Sequence, residues 1–147
     1  RIGKITNWDL VIIGDGCIRQ KLEQTVRDKQ IQRVSFTGQV NHPEEYYKSA
    51  KIILLTSSFE GFPMCLIEAL RFGVIPLTFD ISAGVRSIVS NSGGIIIKNR
   101  NSNEMFLKLQ ELINNKYLHL FSEKARLKSN RYTLNRIGEQ WINLLRK

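Results

Sequence analysis

The sequence predicts an α/β fold: a parallel sheet with helices on both faces, followed by a helical C-terminal tail. Three observations carry that expectation. Short apolar runs recur along the chain, and each ends in a turn rich in Gly, Ser or Thr. Between the runs lie segments with apolar residues at helical spacing, or segments opened by proline. The last third has no such runs and reads as helix throughout. Strands that alternate with helices pair in parallel, because a crossover helix returns the chain to the same end of the sheet.

Residues 8–13 form the first run and read as a buried strand, broken by Gly14-Asp15-Gly16. Residues 17–29 follow, with Ile18, Leu22 and Val26 on one helical face. Residues 34–36 are the second strand, ended by Thr37-Gly38. Pro43 opens a short helix to residue 49. Residues 51–55 are the third strand and 63–71 its helix, with Gly73 as the C-terminal stop. Residues 74–78 are the fourth strand. Gly93-Gly94 turns into the fifth, 95–97. Helices are then expected over 103–114, 117–127 and 134–145. The first of these places Phe106, Leu107, Leu109 and Leu112 on one broad face. The last carries Ile137, Trp141, Leu144 and Leu145 at helical spacing, with Trp141 a core or interdomain anchor. Residues 1–147 are read as a single domain.

Composition sets bounds. The chain is 42% hydrophobic and 24% charged, ordinary for a globular domain with a real core. No apolar run approaches the ~20 residues of a membrane-spanning helix. The start, Arg1-Ile2-Gly3-Lys4, lacks an apolar leader region, so no signal peptide is expected. It also lacks an initial Met, which suits an excised or processed piece. Cys17 and Cys65 have no metal-ligand spacing, and His42 and His119 stand apart, so no metal site is expected. Each cysteine lies near an expected helix N-terminus, which could lower a thiol pKa; small buried apolar residues are the plainer reading. A reduced cytoplasmic protein is the simpler location.

Net charge is +9. Most of the excess lies in the tail, where Lys116, Lys124, Arg126, Lys128, Arg131, Arg136, Arg146 and Lys147 face only Glu123 and Glu139. A solvated helix face is the ordinary meaning of such a tail. It also admits peripheral association with an anionic membrane at its inner face, or a basic module that binds nucleic acid. Beyond Tyr117, Tyr132 and Trp141 the tail shows no stacking platform, which argues against nucleic acid.

The stretch Thr56-Ser57-Ser58-Phe59-Glu60-Gly61-Phe62-Pro63-Met64-Cys65-Leu66-Ile67-Glu68-Ala69-Leu70 organises the chain. It is a strand end, a tight loop and a helix start, with Pro63 at the first helical position. In a parallel sheet that junction lies at the carboxyl end of the strand, where open α/β folds bind ligands. Free N–H groups of a helix start favour a phosphate. Glu60 and Glu68, about two turns apart, carry the wrong charge for phosphate but accept hydrogen bonds from hydroxyls. The combination suits a ligand that is part sugar and part phosphate; a solvated loop residue and an exposed helix residue are the bland alternative. Upstream, strand–Gly14-Asp15-Gly16–helix is a second phosphate-cradle pattern. It lacks the third glycine of the dinucleotide fingerprint.

Glu60-Gly61-Phe62-Pro63 with Glu68-Ala69-Leu70 resembles the Glu-x7-Glu signature of retaining GT-B glycosyltransferases, most closely family 4. Over residues 10–115 the other pieces stand in the family's order: Leu10-Val11-Ile12-Ile13-Gly14-Asp15-Gly16, Val34-Ser35-Phe36-Thr37-Gly38 and Gly73-Val74-Ile75-Pro76. The resemblance implies the Rossmann-like, donor-binding C-terminal half of a GT-B fold. It implies transfer of a sugar from a UDP- or GDP-linked donor to a polysaccharide- or lipopolysaccharide-type acceptor, with no cofactor and no metal. Glu60 would be the catalytic-site acidic residue on the sugar hydroxyls. Backbone amides of Gly61, Phe62, Met64 and Cys65 would hold sugar and phosphate, and Glu68 the ribose. Gly14, Asp15, Gly16 and Arg19 would lie beside the nucleotide, and Gln39 and Val40 beside the base. The partner would be the N-terminal acceptor domain of the same enzyme, on which the last helix packs. Two departures stand out. Ala83-Gly84 replaces a Gly-Gly pair, with Arg86 and Ser87 where relatives carry an acidic residue. The family's first strand–helix unit, with its basic pair, is not found, residues 1–7 being too short for it, so the expectation is either a fragment or a sheet completed by another chain segment. A GT-B-like nucleotide-sugar epimerase remains the alternative within this fold.

Overall fold

The computed structural model describes residues 7–146. Among the described residues five strands and four α-helices alternate as expected: β1 Leu10–Ile13, α1 Arg19–Asp28, β2 Val34–Gly38, α2 Glu44–Ser49, β3 Ile52–Leu55, α3 Met64–Arg71, β4 Ile75–Phe79, α4 Ala83–Val89 and β5 Ile95–Ile97. Helices α5 Ser102–Ile113, α6 Leu118–Ser129 and α7 Leu134–Leu145 close the chain. The strands pair in parallel but in two sheets, β1–β2 and β3–β4–β5, rather than one. The chain correspondingly divides into compact units, residues 1–43 and 44–147.

In the first unit β1 is not the buried strand that its apolar run suggests. Leu10 and Ile12 are half-buried, while Val11 and Ile13 are exposed. The reason is its environment: β2 is its one described strand neighbour, and no residue of α1 is fully buried. An apolar run reads the same whether one face is covered or two. Whether residues 1–7 supply a further strand falls outside the described residues, apart from Asn7.

The second unit holds the core. β4 is its central strand, and all five of its residues are buried. Leu66, Ile67 and Leu70 of α3, Val85, Ile88 and Val89 of α4, and Ala125 of α6 form the main cluster, with Ile53 and Leu55 of β3 against it. Pro76 sits in a central strand, where a missing N–H normally breaks a ladder. Ile75 donates to Lys51 O on the β3 side at 2.9 Å, so Pro76 turns its missing donor toward β5, whose pairing begins only at Leu77.

Caps explain where helices stop and start. Gly73, at φ +76°, ends α3: its N–H donates to Leu70 O at 2.9 Å and that of Val74 to Ala69 O at 3.1 Å. This pair of bonds is a Schellman cap, and it needs a residue at ease in the left-handed region. Ser82 Oγ accepts from Val85 N–H at the start of α4, and Asn101 does the same for α5.

One expectation about a helix face is corrected and one is narrowed to its interdomain alternative. In α5 the buried positions are Met105, Leu109 and Leu112, whereas Leu107 is 57% exposed. At 3.6 residues per turn Leu107 lies roughly opposite Met105. In α7 no residue is buried, and Leu134, Trp141, Ile142, Leu144 and Leu145 are all exposed. Trp141 is therefore no anchor of the described core. No helix among the described residues is long and apolar enough to cross a membrane.

Candidate functional site

The signature stretch leaves β3 at Leu55 and enters α3 at Met64, at the carboxyl end of the three-stranded sheet. Pro63 is the N-cap rather than the first helical residue: its ψ of 104° is extended, so the helical turn begins one position later. The first amides of α3, Met64 and Cys65, have no intrahelical acceptor. That of Leu66 turns back to Pro63 O at 3.2 Å.

The loop is braced from α4. Ser82 Oγ donates to Gly61 O at 3.3 Å. Gly84 lies so close to Gly61 O that a Cβ there would overlap it, and the Phe62 ring would stand 3.0 Å from that Cβ. Phe62 in turn meets Tyr132 edge-on, with ring centroids 6.0 Å apart. Thus Gly84, the half of the Gly-Gly pair that this chain keeps, seats the signature loop. Arg86 is occupied by Asp80 at 2.7 Å.

Glu60 and Glu68 are both half-buried. Among the described residues neither has a cationic partner, in a chain of net charge +9. Glu60 makes no side-chain hydrogen bond there. Glu68 Oε2 accepts one, from Tyr47 Oη of α2 at 3.4 Å. Both carboxylates act on Cys65: burial first, then Glu60 and Glu68, push its thiol above the ordinary value. The helix-start effect that would lower it is outweighed. Burial, then the charge of Glu68, likewise pushes the Tyr47 phenol well above its ordinary value. Phe59, Phe62 and Met64, beside Glu60 in sequence, are exposed.

The other expected donor residues lie in the first unit. Gly14, at φ +120°, donates to Gly38 O at 2.9 Å, which ties the Gly14-Asp15-Gly16 loop to the end of β2. Arg19 spans Asp15 at 3.2 Å and Glu23 at 2.8 Å, and its guanidinium lies against Gly38, where a Cβ would sit 2.6 Å from it. The Glu23 hydrogen bond, opposed by burial and aided by Asp15, raises the Arg19 pKa. Asp15 Oδ1 also accepts from Gly16 N–H at 2.7 Å. Gln39 is exposed and Val40 half-buried, directly after Gly38. Cys17 is exposed, against the expectation of a small buried residue. Gly14, Asp15, Gly16 and Arg19 are thus brought together around Gly38, and Glu60, Cys65 and Glu68 form a second group. Tyr47 escaped the sequence reading; a tyrosine in a short helix carries no signal beyond core packing.

Residues 2–133 match the family described as glycosyl transferases group 1. The chain belongs to that family. It is 35% identical over 145 residues to an uncharacterized glycosyltransferase of Haemophilus influenzae, covering 97% of this chain and 41% of that protein. It is 32% identical over 137 residues to poly(ribitol-phosphate) α-N-acetylglucosaminyltransferase of Staphylococcus aureus, covering 90% and 28%. Among solved structures, a mutant of S. aureus TarM in complex with fondaparinux, α-GlcNAc-glycerol and UDP superposes with TM-score 0.84 at 30% identity, over 99% of this chain and 30% of that one. The lipopolysaccharide outer core galactosyltransferase WaaB, in its apo form, gives 0.79 at 25% identity, over 98% and 42%. The chain spans well under half the length of each of these glycosyltransferases. Its fold matches the C-terminal half of GT-B members.

Proposed function

We propose that this group 1 chain is the donor-binding half of a retaining, family 4-type GT-B glycosyltransferase that passes a sugar from a nucleotide-sugar to a bacterial surface glycan. The observation that carries the reading is the pair Glu60 and Glu68, half-buried and without a cationic partner among the described residues, flanking the amides that open α3. Hydroxyl-rich ligands supply donors for the acceptor sites that these carboxylates leave open.

Glu60 accepts hydrogen bonds from the sugar, and Glu68 from the ribose. The amides of Gly61, Phe62, Met64 and Cys65 face sugar and phosphate; Pro63 has none to offer. When the nucleoside diphosphate leaves, negative charge grows on its phosphate, and donors already fixed at the helix start stabilise it as it forms. Gly14, Asp15, Gly16 and Arg19 border the nucleotide, with Gln39 and Val40 at the base. The proposed chemistry needs no metal and no cofactor. UDP in the TarM neighbour favours a uridine donor over a guanosine one. The exposed face of α7 is reserved, in this reading, for the acceptor-binding domain. The family match gives no support to the epimerase or nucleic-acid readings, and attachment to a membrane stays a secondary proposal resting on the basic tail.

A thermal-shift panel of UDP, GDP, ADP and their common sugar conjugates on the intact enzyme tests this. One nucleotide series is expected to stabilise the protein; silence across the whole panel contradicts the reading.

A further inference from the structure

Glu68 has one side-chain partner among the described residues, and that partner is unusually well held. Tyr47 is 8% exposed. Its ring packs on Phe72, centroids 6.0 Å apart, and on Ala69 and Val74. Ala69 follows Glu68 on α3, and Phe72 caps that helix. The ring is therefore clamped to the helix that carries the carboxylate. A phenolic oxygen lies on the ring axis, so ring flips do not move it. Burial and the Glu68 charge keep the phenol protonated, so it remains a donor to Glu68 Oε2 across the working pH range.

Resting on the donor-site reading of Glu68, we infer that Tyr47 is a positioning residue for ribose recognition. A carboxylate offers about four lone-pair sites, and a vicinal diol engages two of them only if the carboxylate plane is set. Tyr47 takes one site from the buried side. Oε1 and the outer lone pair of Oε2 are left for the diol. A glutamate without that contact orders its side chain on binding and loses affinity by doing so. Tyr47 thus acts through Glu68, on the nucleotide's ribose, and leaves the transferring sugar alone.

The test uses the intact enzyme, with UDP (or GDP, where UDP does not bind) and its 2′,3′-dideoxy analogue, in calorimetry. Tyr47→Phe keeps the ring packing. It is expected to weaken the ribonucleotide about threefold to tenfold, the range of one modest hydrogen bond, and to leave dideoxy binding unchanged. The KM for the sugar donor rises with kcat retained. In the Glu68→Ala background Tyr47→Phe adds nothing. Equal loss for both nucleotides, no loss for either, or an additive effect in that background overturns the inference and leaves the donor site standing. A wild type that binds both nucleotides equally removes the ribose role of Glu68, and Tyr47's with it. A wild type that binds neither overturns the donor-site reading as well.

Discussion

Gly84, in the first turn of α4, lies directly against the carbonyl of Gly61 in the signature loop. Any side chain at 84 must push that loop, because the obstacle is backbone rather than a flexible tip. Gly138, mid-way along α7, has nothing within 4 Å of where its Cβ would be.

The two glycines therefore answer alanine in opposite ways. Measured on residues 1–147 alone, Gly138→Ala is expected to stabilise the fold by about 0.5–1 kcal/mol, the helix-propensity gain at a site that is open in this chain. Gly84→Ala should lower the melting temperature despite the same propensity gain, and weaken nucleotide-sugar binding further than that loss explains. Melting curves and titrations on the two variants check both. A stable, fully binding Gly84→Ala variant would show that the brace is dispensable.

Tyr47 sets an alkaline limit. Its folded pKa lies above the ordinary 10.0, so between the two values the unfolded chain releases a proton that the folded one keeps. Its contribution to stability is then full below pH 10 and is lost as pH rises beyond it. Denaturant midpoints measured from pH 8 to 11 should fall less steeply in Tyr47→Phe than in wild type.

Lys128 has the opposite sign. It is 6% exposed, with Ser90 Oγ 3.4 Å from Nζ, and burial, then Arg131, lowers its pKa. Charging it costs the folded state, so stability recovers as pH approaches 10.5 from below. Lys128→Met removes that cost and keeps the packing of the stem. A rise of about 2 °C in melting temperature at pH 7 is expected; a fall would mean that the Ser90 contact outweighs the burial of charge.

The alternation of elements was legible because apolar runs and turn residues punctuate this chain clearly, as at Gly14, Gly38 and Gly73. The placing of Glu60 and Glu68 on either side of a helix start was legible too, since a proline and the spacing mark it. What the sequence hid is tertiary. The apolar run at 10–13 says nothing about how many of its faces are covered. The direction of the Cys65 shift depends on whether burial and two carboxylates outweigh a helix start, which spacing cannot weigh. Tyr47 meets Glu68 from 21 residues away, and Gly84 meets Gly61 from another turn of the fold. Leu107 differs: helical arithmetic alone, anchored on Met105, would have put it outside.

The central claim is that the two glutamates divide the donor between them. Calorimetry on the intact enzyme with a nucleoside diphosphate and its sugar conjugate tests this directly. Glu68→Ala should weaken both ligands by about tenfold, the loss of charge-assisted hydrogen bonds to the ribose. Glu60→Ala should weaken the sugar conjugate and leave the bare nucleotide unchanged. Wild-type affinity for both ligands in both variants would contradict the account.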